Sequence, residues 1–168
     1  DAVYTVNGGA TLLQASSSIT TNSIASYFGK AKYDYKGKYF LAATARIDGS
    51  SRFGAGNKYG TFPSVSAAWN VSEEDFWKSS VINNLKFRTS WGQTGNQNID
   101  NFVAQGLYLP GYNYAGIAGI ATAPNGLPNS GLTWETTTQT NLGADLSLFK
   151  GRLSLSADYW TKDTKDLL

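Results

Sequence analysis

Apolar and polar residues alternate along six stretches of this 168-residue chain, with the period of two that is typical of β-strands. Between residues 27 and 48 the odd positions are apolar and most even positions are polar. The apolar set is Tyr27, Ala31, Tyr33, Tyr35, Tyr39, Leu41, Ala43, Ala45 and Ile47. Each strand is therefore expected to have one apolar face and one polar face.

The same pattern recurs further along the chain. Odd positions are again apolar in residues 63–71 and 85–91, and the apolar set moves to even positions between Trp134 and Leu148. In the last stretch Leu153, Leu155, Ala157 and Tyr159 alternate with polar residues. The sequence therefore predicts an all-β fold with six antiparallel strands.

Connections between these stretches alternate between short and long, as in outer-membrane barrels, whose periplasmic turns are short and extracellular loops long. We predict inner turns at 36–38, 72–84 and 149–152, and outer loops at 49–60 and 96–133. Residues 1–22 are then the end of another outer loop, and residues 23–168 form the wall. Because the smallest such barrels have about eight strands, six strands predict a segment of a larger transmembrane barrel.

Three local features lead to more specific predictions. Ser72 followed by three acidic residues predicts an N-cap and a short helix in the second inner turn. Gly and Pro interrupt residues 101–134, which carry no charge, so a long loop without regular structure is expected there. In residues 48–54, the glycines are expected to supply positive φ at the transition from strand to loop.

Composition argues against an enzyme. The chain has no His and no Cys, which removes the commonest general base, the commonest metal ligand and any thiolate. Glu73, Glu74 and Asp75 are adjacent, and no second acid is predictably opposed to them, so a glycosidase pair is not expected. No cofactor or metal motif is present. The net charge of +2 does not indicate a nucleic-acid partner.

Several strings of the sequence resemble the middle of a SusC/RagA-type transporter, in that family's order. They are SYFGK at 26–30, YDYK at 33–36, DGSSRFG at 48–54, FPSVS at 62–66, SWGQTGNQ at 90–97, LTWETTTQTN at 132–141 and TKDLL at 164–168. The resemblance covers the chain from about residue 26 to its end.

The resemblance implies a TonB-dependent importer in the outer membrane of a Gram-negative bacterium of the Bacteroidetes type. In that family a barrel of about 22 strands encloses a plug, and a SusD-like lipoprotein covers captured glycans or peptides. The expected partners are outer-membrane lipids, the SusD-like lipoprotein, an oligosaccharide or peptide substrate, and the TonB complex. Contact with TonB would be made by an N-terminal part that precedes this chain.

Charged residues on the polar face are expected to point into the lumen of the barrel. They are Lys30, Lys32, Arg46, Lys86 and Arg88, accompanied by Asp34, Asp145 and Asp158. Contact with the plug, a place along the substrate path, and a role as solvated wall residues all remain open for this set.

Aromatic residues near the predicted strand ends suit the level of the lipid headgroups. This predicted girdle comprises Tyr33, Tyr35, Tyr39, Trp69, Phe87, Trp91, Trp134 and Phe149. Tyr108, Tyr112 and Tyr114 lie in the predicted outer loop instead, where they could contact substrate or partner, or pack within the loop.

Two alternative classes of protein remain open at this point. A passive porin-like barrel would show the same strands and loops. A soluble β-sandwich that binds carbohydrate also has alternating strands, although it seldom combines them with this rhythm of short and long connections.

Overall fold

The computed structural model describes residues 19–105, 108–122 and 128–168. The described chain contains eight strands and one short 3₁₀ helix at Val71–Glu73. The strands are β1 (Ile24–Tyr35), β2 (Tyr39–Ser50), β3 (Tyr59–Asn70), β4 (Ile82–Asn96), β5 (Tyr108–Tyr114), β6 (Ile117–Thr122), β7 (Glu135–Leu148) and β8 (Leu153–Lys165).

Six of these strands form one antiparallel sheet in the order β1-β2-β3-β4-β7-β8, which confirms the predicted six-stranded wall. Strands that follow one another along the chain are neighbours, except that β5 and β6 leave the sheet between β4 and β7. One row of paired residues crosses the whole sheet. It consists of Lys32, Ala42, Ser66, Ser90, Asn141 and Trp160.

This register gives the sheet two chemically different faces, because directly paired residues point to the same side. The apolar face carries the odd positions of β1 to β4 and β8 and the even positions of β7; the polar face carries the others. On the apolar face, Tyr27, Leu41, Val65, Leu142 and Tyr159 are each more than half exposed. A wide and continuous apolar surface of this kind is typical of a wall that lies against lipid.

One end of the sheet, here called the turn end, carries the connections 36–38, 71–81 and 149–152. Lys36 and Gly37 have φ of 55° and 66°, and the Asp34 carboxylate accepts a hydrogen bond of 3.0 Å from the Gly37 amide. Phe149 and Lys150 also have positive φ. The first and last of these connections have the predicted bounds.

The helix predicted in the connection 71–81 is only a single 3₁₀ turn, and Ser72 lies inside it rather than capping it. Asn70 precedes the turn and makes no capping hydrogen bond with its side chain. Val71 is buried, and Glu74 already has extended backbone angles. The predicted N-cap was therefore wrong, because Asn70 and not Ser72 takes that position. After the turn, the Glu74 side chain accepts hydrogen bonds from Tyr39 on β2 and Trp69 on β3.

The other end, here called the loop end, carries the connections 51–58 and 97–134. The prediction that residues 101–134 lack regular structure was wrong, because β5 and β6 pair there as a separate hairpin. Ala115 and Gly116 join them with φ of 50° and 83°, as in a two-residue type I′ loop. Among the described residues no helix has the length and apolar character needed to cross a bilayer.

A small hydrophobic core lies at the loop end and joins its connections. This loop-end cluster consists of Phe53, Phe62 and Trp134, exposed by 2%, 6% and 5%, with Ile99 and Leu132 packed against it. The Trp134 ring centroid lies 5.2 Å from that of Phe53 and 5.5 Å from that of Phe62. The Trp134 indole donates a hydrogen bond of 3.0 Å to the carbonyl of Lys58. Trp134 was therefore wrongly predicted as part of the girdle, because its ring is turned into this cluster.

The segment 48–54 holds this cluster in place through buried polar groups. Asp48 and Ser50 are 4% and 2% exposed. The Ser50 hydroxyl accepts a hydrogen bond of 3.1 Å from the Arg52 amide. The Arg52 guanidinium in turn donates to the Asn101 side chain and the Gln97 carbonyl, at 3.2 Å each. The segment therefore ties the two loop-end connections together.

The glycines of this segment act differently from the prediction, since neither is among the residues with positive φ. A Cβ at Gly49 would lie 2.5 Å from the ring of Tyr59, so the absent side chain leaves room for that ring. A Cβ at Gly54 would meet only the carbonyl oxygen of Ser130, at 3.6 Å. The requirement for glycine at Gly49 is thus close packing rather than backbone conformation.

We predict that Gly95→Ala destabilises the protein by about 1 to 3 kcal/mol, because the added methyl group would overlap the Phe62 ring. Equilibrium unfolding in denaturant of the intact protein that contains this chain, folded in detergent, measures the change. Gly56→Ala is the matched control, since its Cβ would meet nothing within 4 Å. Equal stability of the two variants would contradict the packing described for the loop-end cluster.

Candidate functional site

Small side chains line the centre of the polar face. The floor residues are Ala42, Ser64, Ser66, Ala68, Ser90, Gly92 and Gly143. Two cavities that share Ala42, Ser66 and Ser90 lie above them, of about 500 Å³ toward the loop end and about 540 Å³ toward the turn end. We call them together the polar trough. Its size is in the range of ligand-binding clefts.

All five basic residues singled out from the sequence lie on the polar face. Lys30 and Arg46 border the loop-end half of the polar trough, and Lys32 and Arg88 border the turn-end half. Lys86 lies beyond that half, with its Nζ 5.0 Å from the centroid of the Phe40 ring. Within the described part of the chain, Lys30 and Lys32 form no ion pair.

Arg88 is at the centre of a network that spans three strands. Its guanidinium binds Asp145 through two hydrogen bonds of 2.7 and 3.0 Å and Asp158 through one of 3.1 Å. The Ser156 hydroxyl donates a further bond of 2.7 Å to Asp145. Gly143 makes the arrangement possible, since a Cβ there would contact Asp158 and lie 3.0 Å from the guanidinium carbon. The network holds β4, β7 and β8 together on a face that has few apolar contacts.

The remaining charged residues of the predicted set have local roles. Arg46 donates from Nε to Asp48 at 2.8 Å, which satisfies a carboxylate that is only 5% exposed. Asp34 supports the first turn, as described above. Across the described residues, no group of three or more acidic side chains converges in a way that could hold a metal ion.

An ordered chain of amide side chains borders the polar trough on the β7 side. Gln139 donates from Nε2 to the Asn141 oxygen at 2.8 Å, and Asn141 donates from Nδ2 to the Ser90 hydroxyl at 2.9 Å. Trp160 is the cross-strand partner of Asn141 and is 61% exposed. Sequence reasoning missed Trp160, although its even position in β8 already placed it on the polar face.

Tyr108, Tyr112 and Tyr114 all belong to β5, in the hairpin outside the main sheet. The Tyr108 side chain is 58% exposed. The side chains of Tyr112 and Tyr114 lie outside the described part of the structure. Contact of these three residues with a substrate or partner stays a prediction.

The apolar face carries six of the residues predicted as an aromatic girdle, all of them exposed. They are Tyr33, Tyr35, Tyr39, Trp69, Phe87 and Trp91. Phe149 lies in the turn that joins β7 and β8 and is exposed as well. The rings of Tyr39 and Trp69 stack near the turn end, with centroids 6.4 Å apart and an interplanar angle of 6°.

Glu74 connects this aromatic pair to the turn end. It accepts hydrogen bonds from the Tyr39 hydroxyl at 2.5 Å, the Trp69 indole at 3.0 Å and Lys38 Nζ at 3.2 Å. The hydrogen bond from Tyr39, followed by that from Trp69, lowers the pKa of Glu74. Desolvation acts against the charged form of Lys38, but hydrogen bonds to Asp75 and Glu74 outweigh it and raise the pKa of that amine. Both groups are thus held charged at neutral pH.

A sheet with one apolar and one polar face, joined by short turns at one end and long connections at the other, is a segment of a membrane β-barrel wall. The chain belongs to the TonB-dependent receptor-like β-barrel family, whose model matches residues 1–168. Members of this family are outer-membrane receptors rather than enzymes. The predicted fold class and the resemblance to SusC/RagA-type proteins are thereby confirmed.

Curated relatives match most of this chain. TonB-dependent receptor P39 of Formosa agariphila is 47% identical over 150 residues, which is 89% of this chain and 14% of the relative. TonB-dependent receptor SusC of Bacteroides thetaiotaomicron is 39% identical over 165 residues, which is 95% of this chain and 16% of SusC. The chain thus spans about one seventh of the length of these relatives.

Solved structures share the fold as well. A structure of the RagAB peptide transporter superposes with a TM-score of 0.77 at 28% identity, covering 88% of this chain and 16% of that one. The RagAB peptide importer in its open-open state gives 0.77 at 26% identity, covering 94% of this chain and 18% of that one.

Arg88→Met is expected to destabilise the protein only modestly, because the network is partly exposed to solvent, although two carboxylates lose their partner. Denaturant unfolding of the intact protein measures this, with Lys32→Met as the control that borders the same trough. Adding Asp145→Asn to Arg88→Met should recover part of the loss. Simple additivity of the two changes would contradict the coupling.

Stability should depend on pH through Glu74. The pKa of Glu74 in the folded protein is lower than its ordinary value of 4.5. Glu74 therefore contributes its full stabilisation above pH 4.5, and this contribution is lost as the pH falls through the folded-state pKa. Wild type should therefore be more stable than Glu74→Gln at neutral pH, and the gap should close below about pH 4.5. Unfolding midpoints between pH 7 and pH 3 test this. Glu73→Gln is the matched control, since it changes the exposed acid beside Glu74 and removes none of the hydrogen bonds that Glu74 accepts.

Proposed function

We propose that this chain forms part of the wall and outer loops of an active outer-membrane importer of glycans or other oligomeric nutrients. The observation that carries the proposal is a two-faced sheet in a chain that belongs throughout to the TonB-dependent receptor-like barrel family. The RagAB structures, described as a peptide importer, and the relative SusC support the transport role. Relatives in Formosa and Bacteroides support the outer membrane of a Gram-negative, Bacteroidetes-type bacterium as its location.

This proposal also orients the sheet relative to the membrane. Lipid lies against the apolar face, and the polar face lines the lumen, where Lys30, Lys32, Arg46, Lys86 and Arg88 can contact a plug. The turn end points to the periplasm and the loop end to the cell exterior, as lengths of connections in outer-membrane barrels suggest. The segment 1–22, predicted from the sequence to be the end of an outer loop, lies mostly outside the described residues.

The proposed partners follow from the same assignment. A SusD-like lipoprotein covers the loop end, and we expect it or the substrate to contact Tyr108, Tyr112 and Tyr114 of the uncharged hairpin. The TonB complex supplies energy through a part of the protein other than this chain. The chain itself contributes no catalytic step in this proposal, which is supported by a family whose members are receptors rather than enzymes.

Deleting the gene that encodes the intact protein should abolish growth on an oligomeric nutrient while leaving growth on the corresponding monomer unchanged. Loss of TonB, or addition of a protonophore, should stop uptake of the oligomer just as completely, because import depends on energy coupling. Growth curves on oligomer and monomer, together with uptake of a labelled oligomer, measure both effects.

Two outcomes would overturn this function. Uptake that continues after the protonophore would indicate a passive porin-like barrel. Recovery of the intact protein in the soluble fraction without detergent would instead indicate a soluble β-sandwich.

A further inference from the structure

The apolar face carries a groove in the half of the sheet nearer the turn end. Two cavities form it, of about 860 Å³ and about 460 Å³, and Leu41, Ala67 and Thr89 line both of them. We call these two cavities together the apolar groove. Small residues of the apolar face line it on five strands, and they are Ala31, Ala43, Ala67, Ala144 and Ala157. Each cavity is in the size range of ligand-binding clefts.

Aromatic rings border the apolar groove on the side of the turn end. Tyr39, Trp69 and Phe87 are cross-strand neighbours in one row, and all three line the larger cavity. The stacked pair of Tyr39 and Trp69 also donates two hydrogen bonds to Glu74, of 2.5 Å from the hydroxyl and 3.0 Å from the indole. Two residues of the groove wall are therefore bonded directly to a charged group at the turn end.

Glu74 belongs to a trio of charged side chains with Lys38 and Asp75. Lys38 Nζ lies 3.2 Å from each of the two carboxylates. One ammonium and two carboxylates give the trio a net charge of −1. The Glu74 side chain is mostly buried, whereas that of Asp75 is fully exposed. Because a carboxylate can accept several hydrogen bonds, Asp75 keeps the capacity to bind a cationic group from outside.

A phospholipid with an ammonium in its headgroup has the chemistry that these features complement. An acyl chain gains free energy by leaving water for an apolar cavity. An ammonium can pair with an exposed carboxylate, and it also favours the faces of Trp and Tyr rings. A phosphate can accept a hydrogen bond from Lys38, whose amine has three protons. A headgroup with a phosphate but no ammonium would meet a trio of the same sign of net charge, which disfavours it.

We propose that the apolar groove binds an acyl chain of an aminophospholipid, with the headgroup ammonium at Asp75 beside the Tyr39 and Trp69 rings and the phosphate at Lys38. The inference rests on the proposed function in one respect, since it requires the apolar face to lie against lipid. It adds a site that selects one class of headgroup. The competing occupants are lipid bound without headgroup preference and a protein neighbour.

The test uses the intact protein that contains this chain, purified in detergent, and native mass spectrometry of bound lipid. The probes are dioleoyl phosphatidylethanolamine and dioleoyl phosphatidylglycerol, which have the same acyl chains and differ in headgroup. Asp75→Asn should weaken one ethanolamine-lipid site by about fivefold, as for a single exposed ion pair, and should not weaken binding of the glycerol lipid. Ala67→Leu should weaken the same ethanolamine-lipid site, because the larger side chain occupies the apolar groove.

Each variant has a matched control. Asp163→Asn makes the same change of charge at an exposed position near the loop end of β8. Ala45→Leu makes the same change of size on the apolar face, at a residue that lines neither cavity of the apolar groove. Because lipid also binds to other surfaces of the intact protein, affinities are compared between each variant and its control. Both controls should bind the ethanolamine lipid as wild type does.

Two results would overturn the inference. Equal weakening of both lipids by Asp75→Asn would indicate lipid bound without headgroup preference. Ethanolamine-lipid binding in Asp75→Asn and Ala67→Leu that matches their controls would assign the apolar groove to a protein neighbour instead. Uptake after gene deletion is measured separately. Lost uptake with no difference between variants and controls would reject the lipid site alone, whereas the expected lipid binding with continued uptake would reject the importer alone.

Discussion

The register between strands is the constraint on which the rest of this structure depends. Because side chains alternate in direction along a strand, a slip of one residue in any pairing would move a whole set of side chains to the opposite face. The pairing of Lys86 with Asp145, and of Asn141 with Trp160, holds only in the observed register. Both the apolar face and the polar trough are therefore consequences of the same hydrogen-bonded ladder.

The polar face has to be held together differently from the apolar one. A solvated face gains little from hydrophobic burial, so cohesion there comes from hydrogen bonds between side chains and from one small core. The network around Arg88 connects three strands, and the amide chain from Gln139 to Ser90 connects two. At the loop end, the Phe53, Phe62 and Trp134 rings supply the packed hydrophobic contact that the open sheet otherwise lacks. Polar bonding and this cluster thus stabilise complementary parts of the wall.

The strands and the two faces could be predicted from the sequence because a period of two is a local signal. The failures depend on contacts between distant parts of the chain. The sequence predicts Trp134 as a girdle residue, whereas the structure packs its ring against Phe62. It predicts Gly49 as a turn residue, whereas the structure shows the Tyr59 ring beside it. Ser72 has the sequence of an N-cap, but it lies inside the 3₁₀ turn, and Glu74 after the turn bonds to Tyr39 on a distant strand.

The candidate site could be predicted only in part for the same reason. The sequence assigns charged residues to the polar face by parity, yet it does not show which of them form pairs. Arg88 finds its carboxylates on β7 and β8, whereas Lys30 contributes to the rim of the polar trough. Small residues such as Ser66 and Gly92 carry no functional signal individually. On neighbouring strands of the sheet they lie side by side and line the same cavity. The polar trough is thus lined by side chains that are small, and the larger groups at its margin determine what can bind there.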